Sequence, residues 1–440
     1  MAHAIINTFM LQKIKKITDS AAAKRRQDKA SQYIVALDVG TENVKALIGK
    51  ITNEGLEIVG VGRSHQQLTD MQAGAVADIG GVVENCNKAL AEAEEQAQIS
   101  VRTAIVGIAG ELVKGTTTTV RCTRKDPNLE LDIDEMERII ELVQDRAEKQ
   151  ARKTLEWELG GQHVDVRLVN SALVGITIDG YNVTNPIGFK GRDVLIQLYT
   201  AFAPMIHISA LERVANELDL DLLAVAAEPF AVARSVIGNS TNATMSAILM
   251  DVGGGTTDIA VLNEGGVQGT KMFGIGGRAF TRSIERDLGV DFDVAEKLKI
   301  DFSNRSKDDL AQHESVSESL EKTCDVWLSG VELALSDYSD LENLPHQILL
   351  CGGGASLDKL ISTLNETNWY GQLPFTRKPK ISLINPDQVV GIEDSTGKVD
   401  DHTYITAMGL LRVGMDTIQQ QEDLDSTSGL KARFDRILRI

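Results

Sequence analysis

Ala36-Leu37-Asp38-Val39-Gly40-Thr41-Glu42-Asn43 and Ile248-Leu249-Met250-Asp251-Val252-Gly253-Gly254-Gly255-Thr256-Thr257-Asp258 are two versions of one pattern, set far apart in the chain. Each has an apolar run, an Asp, an apolar residue, Gly and a hydroxyl residue, followed by a second apolar-rich stretch. Apolar runs bounded by Gly-rich turns predict buried strands paired as hairpins. A carboxylate at each strand end, with bare backbone beside it, suits Mg2+ and phosphate gripped from two sides. A third turn, Ile348-Leu349-Leu350-Cys351-Gly352-Gly353-Gly354-Ala355, follows another apolar run. Three such turns in this order point to one nucleotide held between two related halves.

Each turn has its own chemistry. Gly40 lets the backbone approach a phosphate closely, Thr41 and Asn43 add polar groups at the hairpin tip, and Asp38 is placed to hold Mg2+ through water. In the second turn Gly253, Gly254 and Gly255 expose backbone N–H groups ahead of Thr256, and Asp251 ends its strand as Asp38 does. The third turn, Gly352-Gly353-Gly354-Ala355, opens into Ser356-Leu357-Asp358-Lys359-Leu360, a helix start. Bare backbone there could pack against a flat base or accept phosphate.

The bulk numbers bound the rest. A chain of 440 residues exceeds one ordinary core, so two or more domains are expected. Charged and apolar fractions of 25% and 42% are those of a globular protein. Cys86, Cys122, Cys324 and Cys351 are scattered, without a CxxC pair, and no His cluster has metal spacing. That fits a reducing cytoplasm and argues against a structural zinc site. No run approaches the ~18 apolar residues of a membrane span. The net charge of −18 is unevenly spread: residues 1–30 hold seven Lys/Arg against two Asp, and residues 430–440 hold four against one. An acidic body argues against nucleic acid as a partner, because phosphate contacts need a basic face. The two basic ends are candidates for an anionic surface.

Residues 1–30 do not read as a secretory signal, since the basic residues follow the apolar stretch rather than precede it. Strands dominate 33–62, and 81–98 is helical. Residues 101–110 read as a strand and 133–155 as a long charged helix. Strands return at 164–180 and 193–202, with a helix around 205–218. A second strand-and-helix block runs from 245 to 365; 388–415 is short and helical at its end, and 419–429 is a polar, flexible linker. This alternation predicts an α/β chain with two sheets. After the linker, Leu430, Phe434, Ile437 and Leu438 fall at i, i+4, i+7 and i+8, flanked by Lys431, Arg433, Arg436 and Arg439. A basic amphipathic helix of this kind suits a bilayer interface; docking on the protein's own surface is the alternative.

Two phosphate turns and a late Gly-Gly-Gly-Ala turn resemble the actin/Hsp70/sugar-kinase superfamily. Within it the chain most resembles the bacterial cell-division FtsA family. The matching stretches are Val59-Gly60-Val61-Gly62, Val106-Gly107-Ile108-Ala109-Gly110, Asn185-Pro186-Ile187-Gly188, 251–261, Ala295-Glu296-Lys297-Leu298-Lys299, 350–355 and Thr406-Ala407-Met408-Gly409-Leu410-Leu411. The resemblance covers about 31–415, and the tail fits too. Residues Val169-Asn170-Ser171-Ala172-Leu173-Val174 depart from the family's Pro-Gln/Arg-Glu pattern, and 300–345 is compact and acidic.

The resemblance implies a two-domain actin-like ATPase fold, with duplicated RNase H-like halves and an α+β subdomain inserted in the first. The implied division is a basic extension at 1–30 and a first domain (1A) at 31–80, 164–240 and 388–415. An SHS2-like insert (1C) would occupy 81–163. A second domain (2A) would take 241–275 and 336–387, with a helical subdomain (2B) at 276–335, a linker at 416–429 and the membrane helix at 430–440. ATP and Mg2+ are the implied cofactors. Asp38 and Asp251 would sit around Mg2+ through water, and Gly40, Thr41, Asn43, Gly253, Gly254, Gly255 and Thr256 would hold the phosphates. Glu296 and Lys299 would reach the ribose and base, and Gly352, Gly353, Gly354 and Ala355 would lie by the adenine. Glu228, in Ala227-Glu228-Pro229-Phe230, occupies the crossing segment where relatives place a water-orienting polar residue and is the candidate catalytic group; turnover, if any, would be slow, since phosphoryl transfer needs a well-placed water or hydroxyl partner.

The implied partners are the C-terminal peptide of the tubulin-like protein FtsZ, further copies of the chain in a head-to-tail filament, other division proteins, and the cytoplasmic membrane surface at the division site. Arg278, Arg282 and Arg286, four apart on one helix face, could meet the acidic peptide; pairing with Glu285 and Asp287 is the alternative. A PilM-type adaptor of type IV pilus assembly and a metabolite kinase of the same superfamily are the other readings.

Overall fold

The computed structural model describes residues 32–237, 244–304, 310–338 and 341–426. The basic extension at 1–30 and the amphipathic segment at 430–440 lie outside the described residues.

The first Asp-x-Gly stretch is a hairpin: β1 (Tyr33–Val39) and β2 (Asn43–Ile51) pair antiparallel, and β3 (Leu56–His65) continues the meander. After Tyr33 every residue of β1 is buried. Such an unbroken apolar run demands cover on both faces of the sheet. A small ladder, β4 (Met71–Gln72) with β5 (Ala75–Val76), leads to α1 (Ile79–Ala97), whose start is capped by Asp78 accepting from the Gly80 and Gly81 amides. β6 (Thr103–Ile108) returns beside β1, in parallel. Next come β7 (Lys114–Thr123), α2 (Ile133–Glu158), β8 (Val166–Ile178), β9 (Tyr181–Asn182) and β10 (Asp193–Pro204). α3 (Met205–Glu217), β11 (Asp221–Ala227) and α4 (Glu228–Ile237) complete the first half.

The second half repeats the plan. β12 (Ala247–Val252), β13 (Thr257–Asn263) and β14 (Gly266–Phe273) form the meander. Three helices follow: α5 (Gly277–Leu288), α6 (Phe292–Asn304) and α7 (Leu310–Ser336). β15 (Gln347–Cys351) then pairs parallel to β12. α8 (Asp358–Glu366), β16 (Lys380–Leu383), β17 (Ile392–Asp394) and α9 (Ile405–Ser426) end the described chain.

The first sheet runs β11-β6-β1-β2-β3-β17, and the second opens β16-β15-β12-β13-β14. Strand for strand, β11-β6-β1-β2-β3 and β16-β15-β12-β13-β14 are the same arrangement, two parallel pairings followed by an antiparallel meander. The duplication expected from the paired turns is therefore present in the backbone. Each half has its own buried cluster, one around Ile34, Leu37, Leu47 and Ile105, the other around Ile248, Phe280, Trp327 and Leu350.

The structure redraws two expected boundaries. Residues 81–163 are not one insert: α1 packs on β2 and β3, and β6 lies between β1 and β11. The separate α+β unit is instead β7, α2, β8, β9 and β10, with its own core of Val120, Met136, Ile140, Ile196 and Leu198. The stretches 164–180 and 193–202, expected in the first domain, belong to it. Alternation identifies a strand but not its partner, and β10 meets β7 only through long-range pairing. The linker expected from 416 is likewise helical to Ser426, because α9 continues past the apolar face it packs on β1 and α4.

The inserted strands also join the second sheet, as β14-β7-β10-β8-β9. The join rests on two residue pairs, Gly269 with Thr116 and Thr270 with Gly115. A Cβ at Gly115 would lie 2.0 Å from Thr270 Oγ1 and 2.5 Å from the Tyr199 hydroxyl, so the junction closes around a bare backbone.

Candidate functional site

The three Gly-rich turns meet at one cleft between the halves, a cavity of about 570 Å3. Asp38 at the end of β1 and Asp251 at the end of β12 line it, and both are buried. In each hairpin the residue registered across from that Asp lines the cleft as well: Lys45 faces Asp38, and Asp258 faces Asp251. Neither was singled out from the sequence. The signal was present in the hairpin register, which follows from the turn and puts residue 45 beside 38 and 258 beside 251.

The electrostatics follow from this gathering of charge. Lys45 Nζ donates to Asp38 Oδ2 at 2.9 Å. Burial pulls the Lys45 ammonium down most strongly, but the charge and hydrogen bond of Asp38 and the charge of Asp251 together outweigh it, and the net shift is upward. Burial raises the Asp251 carboxyl, although Thr406 of α9 donates its hydroxyl to Oδ2. Asp258 is pushed well up by burial and then by Asp251. Glu228, buried at the start of α4 on the cleft wall, is pushed well up by burial and by Asp38, Asp258 and Asp251. Thr256 Oγ1 donates to Asp258 Oδ2 at 3.3 Å, while the buried Asp258 Oδ1 has no hydrogen-bond partner among the described residues. Among the described residues no three His, Cys or carboxylate groups converge as direct metal ligands.

Gly40, Thr41, Asn43, Gly253, Gly254 and Thr256 line the cleft. Gly255 does not; a Cβ on it would come within 2.6 Å of Thr41 Oγ1. Gly254 is likewise pressed on Glu42, so these two glycines let the first and second turns touch. Gly352, Gly353 and Gly354 line the far end, and a Cβ at Gly353 would meet nothing. Ala355 is fully buried and outside the lining; its amide donates to Gly352 O and closes the turn.

Glu296 and Lys299 of α6 reach the cleft together, with Lys299 Nζ on Glu296 Oε2 at 2.8 Å, Thr281 Oγ1 at 2.9 Å and Gly277 O at 3.1 Å. The three arginines expected on one face separate. Arg278 is buried in the cleft wall and pairs with Glu42, so it does not present itself to a peptide. Arg282 and Arg286 are exposed on α5, and Arg286 Nε pairs with Asp287 Oδ1 at 3.1 Å. The reason is α5's first turn, which the second phosphate turn pulls inward through Gly277 N to Gly253 O and Arg278 N to Gly254 O.

Comparison with known proteins follows the same line. The model of the family "Cell division protein FtsA" matches residues 248–409, which hold the second and third turns, α5–α8 and the start of α9. The chain is similar to the FtsA of Pseudomonas aeruginosa, 26% identical over 417 residues that cover 90% of this chain and 91% of the relative. It is 21% identical to the FtsA of Bacillus subtilis over 402 residues, covering 87% and 83%. Among solved structures, a chain of the "PilM-PilN type IV pilus biogenesis complex" superposes with a TM-score of 0.63 at 15% identity, over 87% of this chain and 98% of that one. The α/β, two-domain actin-like fold expected from the motifs is the fold found, and the resemblance to FtsA extends over most of the chain.

Proposed function

We propose that this chain is an ATP-binding, actin-like protein of bacterial cell division that self-assembles and tethers the tubulin-like ring protein FtsZ to the cytoplasmic membrane. The observation that carries the reading is the convergence of Asp38, Asp251 and the three Gly turns on one cleft, in a chain similar to FtsA over nine-tenths of its length.

The residues fit a magnesium nucleotide. Among the described residues the buried Asp258 Oδ1 lacks a partner and nothing fills the space over Gly353. Asp38 and Asp251 would hold the metal through its waters, with the metal screening phosphate charge beside the carboxylates. Gly40, Thr41, Asn43, Gly253, Gly254 and Thr256 would bind the phosphates. Glu296 and Lys299, which line the same cleft, would reach the ribose and base, and Gly353 and Gly354 would lie by the adenine. Glu228 is the group on the wall that would orient a water, and turnover would be slow at most. The inserted unit from β7 to β10, of SHS2 type in this reading, would serve head-to-tail assembly. The exposed Arg282 and Arg286 are the part of the basic row open to an acidic FtsZ peptide. A peptide titration of Arg282→Glu/Arg286→Glu is expected to show weaker binding.

Titration calorimetry of ATP with Mg2+ tests the core of the proposal. Asp251→Ala is expected to abolish binding while keeping the parent's circular dichroism. Unchanged affinity in a folded Asp251→Ala protein sinks the assignment.

A further inference from the structure

Arg278 carries an inference that deepens the nucleotide reading and rests on it. Its guanidinium crosses from the second half to the first. Nε donates to Glu42 Oε2 at 2.8 Å, joining the first turn of α5 to the tip of the β1–β2 hairpin. The side chain lines the same cleft as Asp38, Gly40 and Asp251, yet the residue is only 9% exposed. Its Nη2 is buried and has no hydrogen-bond partner among the described residues. A guanidinium carries five donors and stays charged, and a buried donor without an acceptor is costly.

Among the described residues the other cations of the cleft are already engaged. Lys45 is held by Asp38, Lys299 by Glu296, Thr281 Oγ1 and Gly277 O, and Arg63 Nε by Asn43 Oδ1. Glu42 has a second neighbour, His65, with Nδ1 at 3.4 Å from Oε1. The backbone beneath Arg278 is fixed, since its amide donates to Gly254 O within the second phosphate turn. The cleft thus holds one anchored guanidinium that spans both halves, with an unused donor buried among the phosphate turns.

We propose that Arg278 is a polyphosphate-binding residue that Glu42 holds in competition. Nη2 takes a phosphate oxygen of the bound nucleotide, and the Glu42 carboxylate, paired through Nε, opposes the incoming anion for the same guanidinium charge. A charge-assisted fork of this kind distinguishes phosphate from neutral ligands. The partner pair sets the sign of the test: removing Glu42 frees the guanidinium, whereas removing Arg278 takes the donor away.

The experiment measures equilibrium binding of Mg2+ with ATP, Mg2+ with ADP, inorganic tripolyphosphate and adenosine to the full chain, and melting of each variant without ligand. Arg278→Gln is expected to weaken ATP and tripolyphosphate about tenfold or more and to leave adenosine unchanged, as loss of a hydrogen bond to a charged group predicts. Arg278→Lys, which keeps the charge and loses the fork, should fall between, and it serves if Arg278→Gln does not fold. Glu42→Gln should strengthen ATP binding. If Glu42→Gln weakens ATP as much as Arg278→Gln does, the pair only closes the cleft, and the inference is overturned. Unchanged ATP affinity in Arg278→Gln, with the parent binding ATP, overturns this inference alone. A parent that binds no ATP overturns the nucleotide reading with it.

Discussion

Glu228, Asp251 and Asp258 share one buried space with Asp38, and Lys45 supplies the ammonium paired there. Each of the three carboxyls is raised above its ordinary value, first by burial. A carboxyl with a raised folded-state pKa binds more protons folded than unfolded, so its contribution falls as pH climbs from the unfolded value toward the folded one. The nucleotide-free protein therefore carries a penalty at neutral pH that acid relieves. Glu228→Gln should melt higher than the parent at neutral pH, by an amount on the order of 1 kcal/mol or more. The gain should vanish as pH falls below the ordinary carboxyl range, where both states of the parent are protonated. Thermal melts of the pair across pH check this; a gain that grows toward acid contradicts it. Lys45 follows the same sign in a higher window: with its pKa raised, its contribution is complete at neutral pH and is lost only as pH climbs past the ordinary lysine value.

Among the elements, the junction of β14 with β7 is the place where the second half and the inserted unit become one sheet. Two residue pairs hold it, and Tyr199 Oη lies 3.2 Å from Thr270 Oγ1 beside them while its ring stacks on Phe230 at 5.5 Å. Gly115→Val would drive a branched side chain into Thr270 and Tyr199. Overpacking of this sort costs about 1–3 kcal/mol. Denaturant unfolding should show that loss, and amide exchange should quicken in β7 and β14 before β1. Equal exchange in parent and variant would show that the junction carries no strain. The redrawn insert gives a second expectation. Excising 81–163 removes α1 and the strand β6 from the middle of the first sheet, so the product should not fold. A soluble, ATP-binding product of that excision would contradict the sheet order.

For the whole molecule, the reading as a membrane tether depends on residues 430–440. Burying Phe434, Ile437 and Leu438 would contribute at most ~1.5–3 kcal/mol each. Each nearby basic residue adds about 1 kcal/mol at an anionic surface. Both offset the cost of folding a short segment that is marginal as a helix in water. One copy should bind modestly and an assembly far more firmly. Phe434→Asp should release the protein from anionic liposomes, and salt should weaken the parent's binding without abolishing it. Co-sedimentation of Phe434→Asp equal to the parent would move the anchor elsewhere, with the basic stretch at 5–17 the next candidate.

The paired Asp-x-Gly turns, read as a sequence, were enough to establish two hairpins, a duplicated α/β plan and one shared cleft. Local chemistry decides these: an apolar run followed by Gly can do little else, and the hydroxyl and carboxylate beside it mark the tip. Tertiary structure alone decided where 81–163 divides, because strand partners come from contacts across long stretches of chain that periodicity does not encode. It also decided the fate of Arg278. On a helical wheel Arg278, Arg282 and Arg286 are equivalent; only the docking of α5's first turn on Gly253 and Gly254 buries one and leaves the others in solvent. Lys45 and Asp258 stand between these cases. Their register was legible in the hairpins, but their charge acquired meaning only when folding put both hairpins into one buried space.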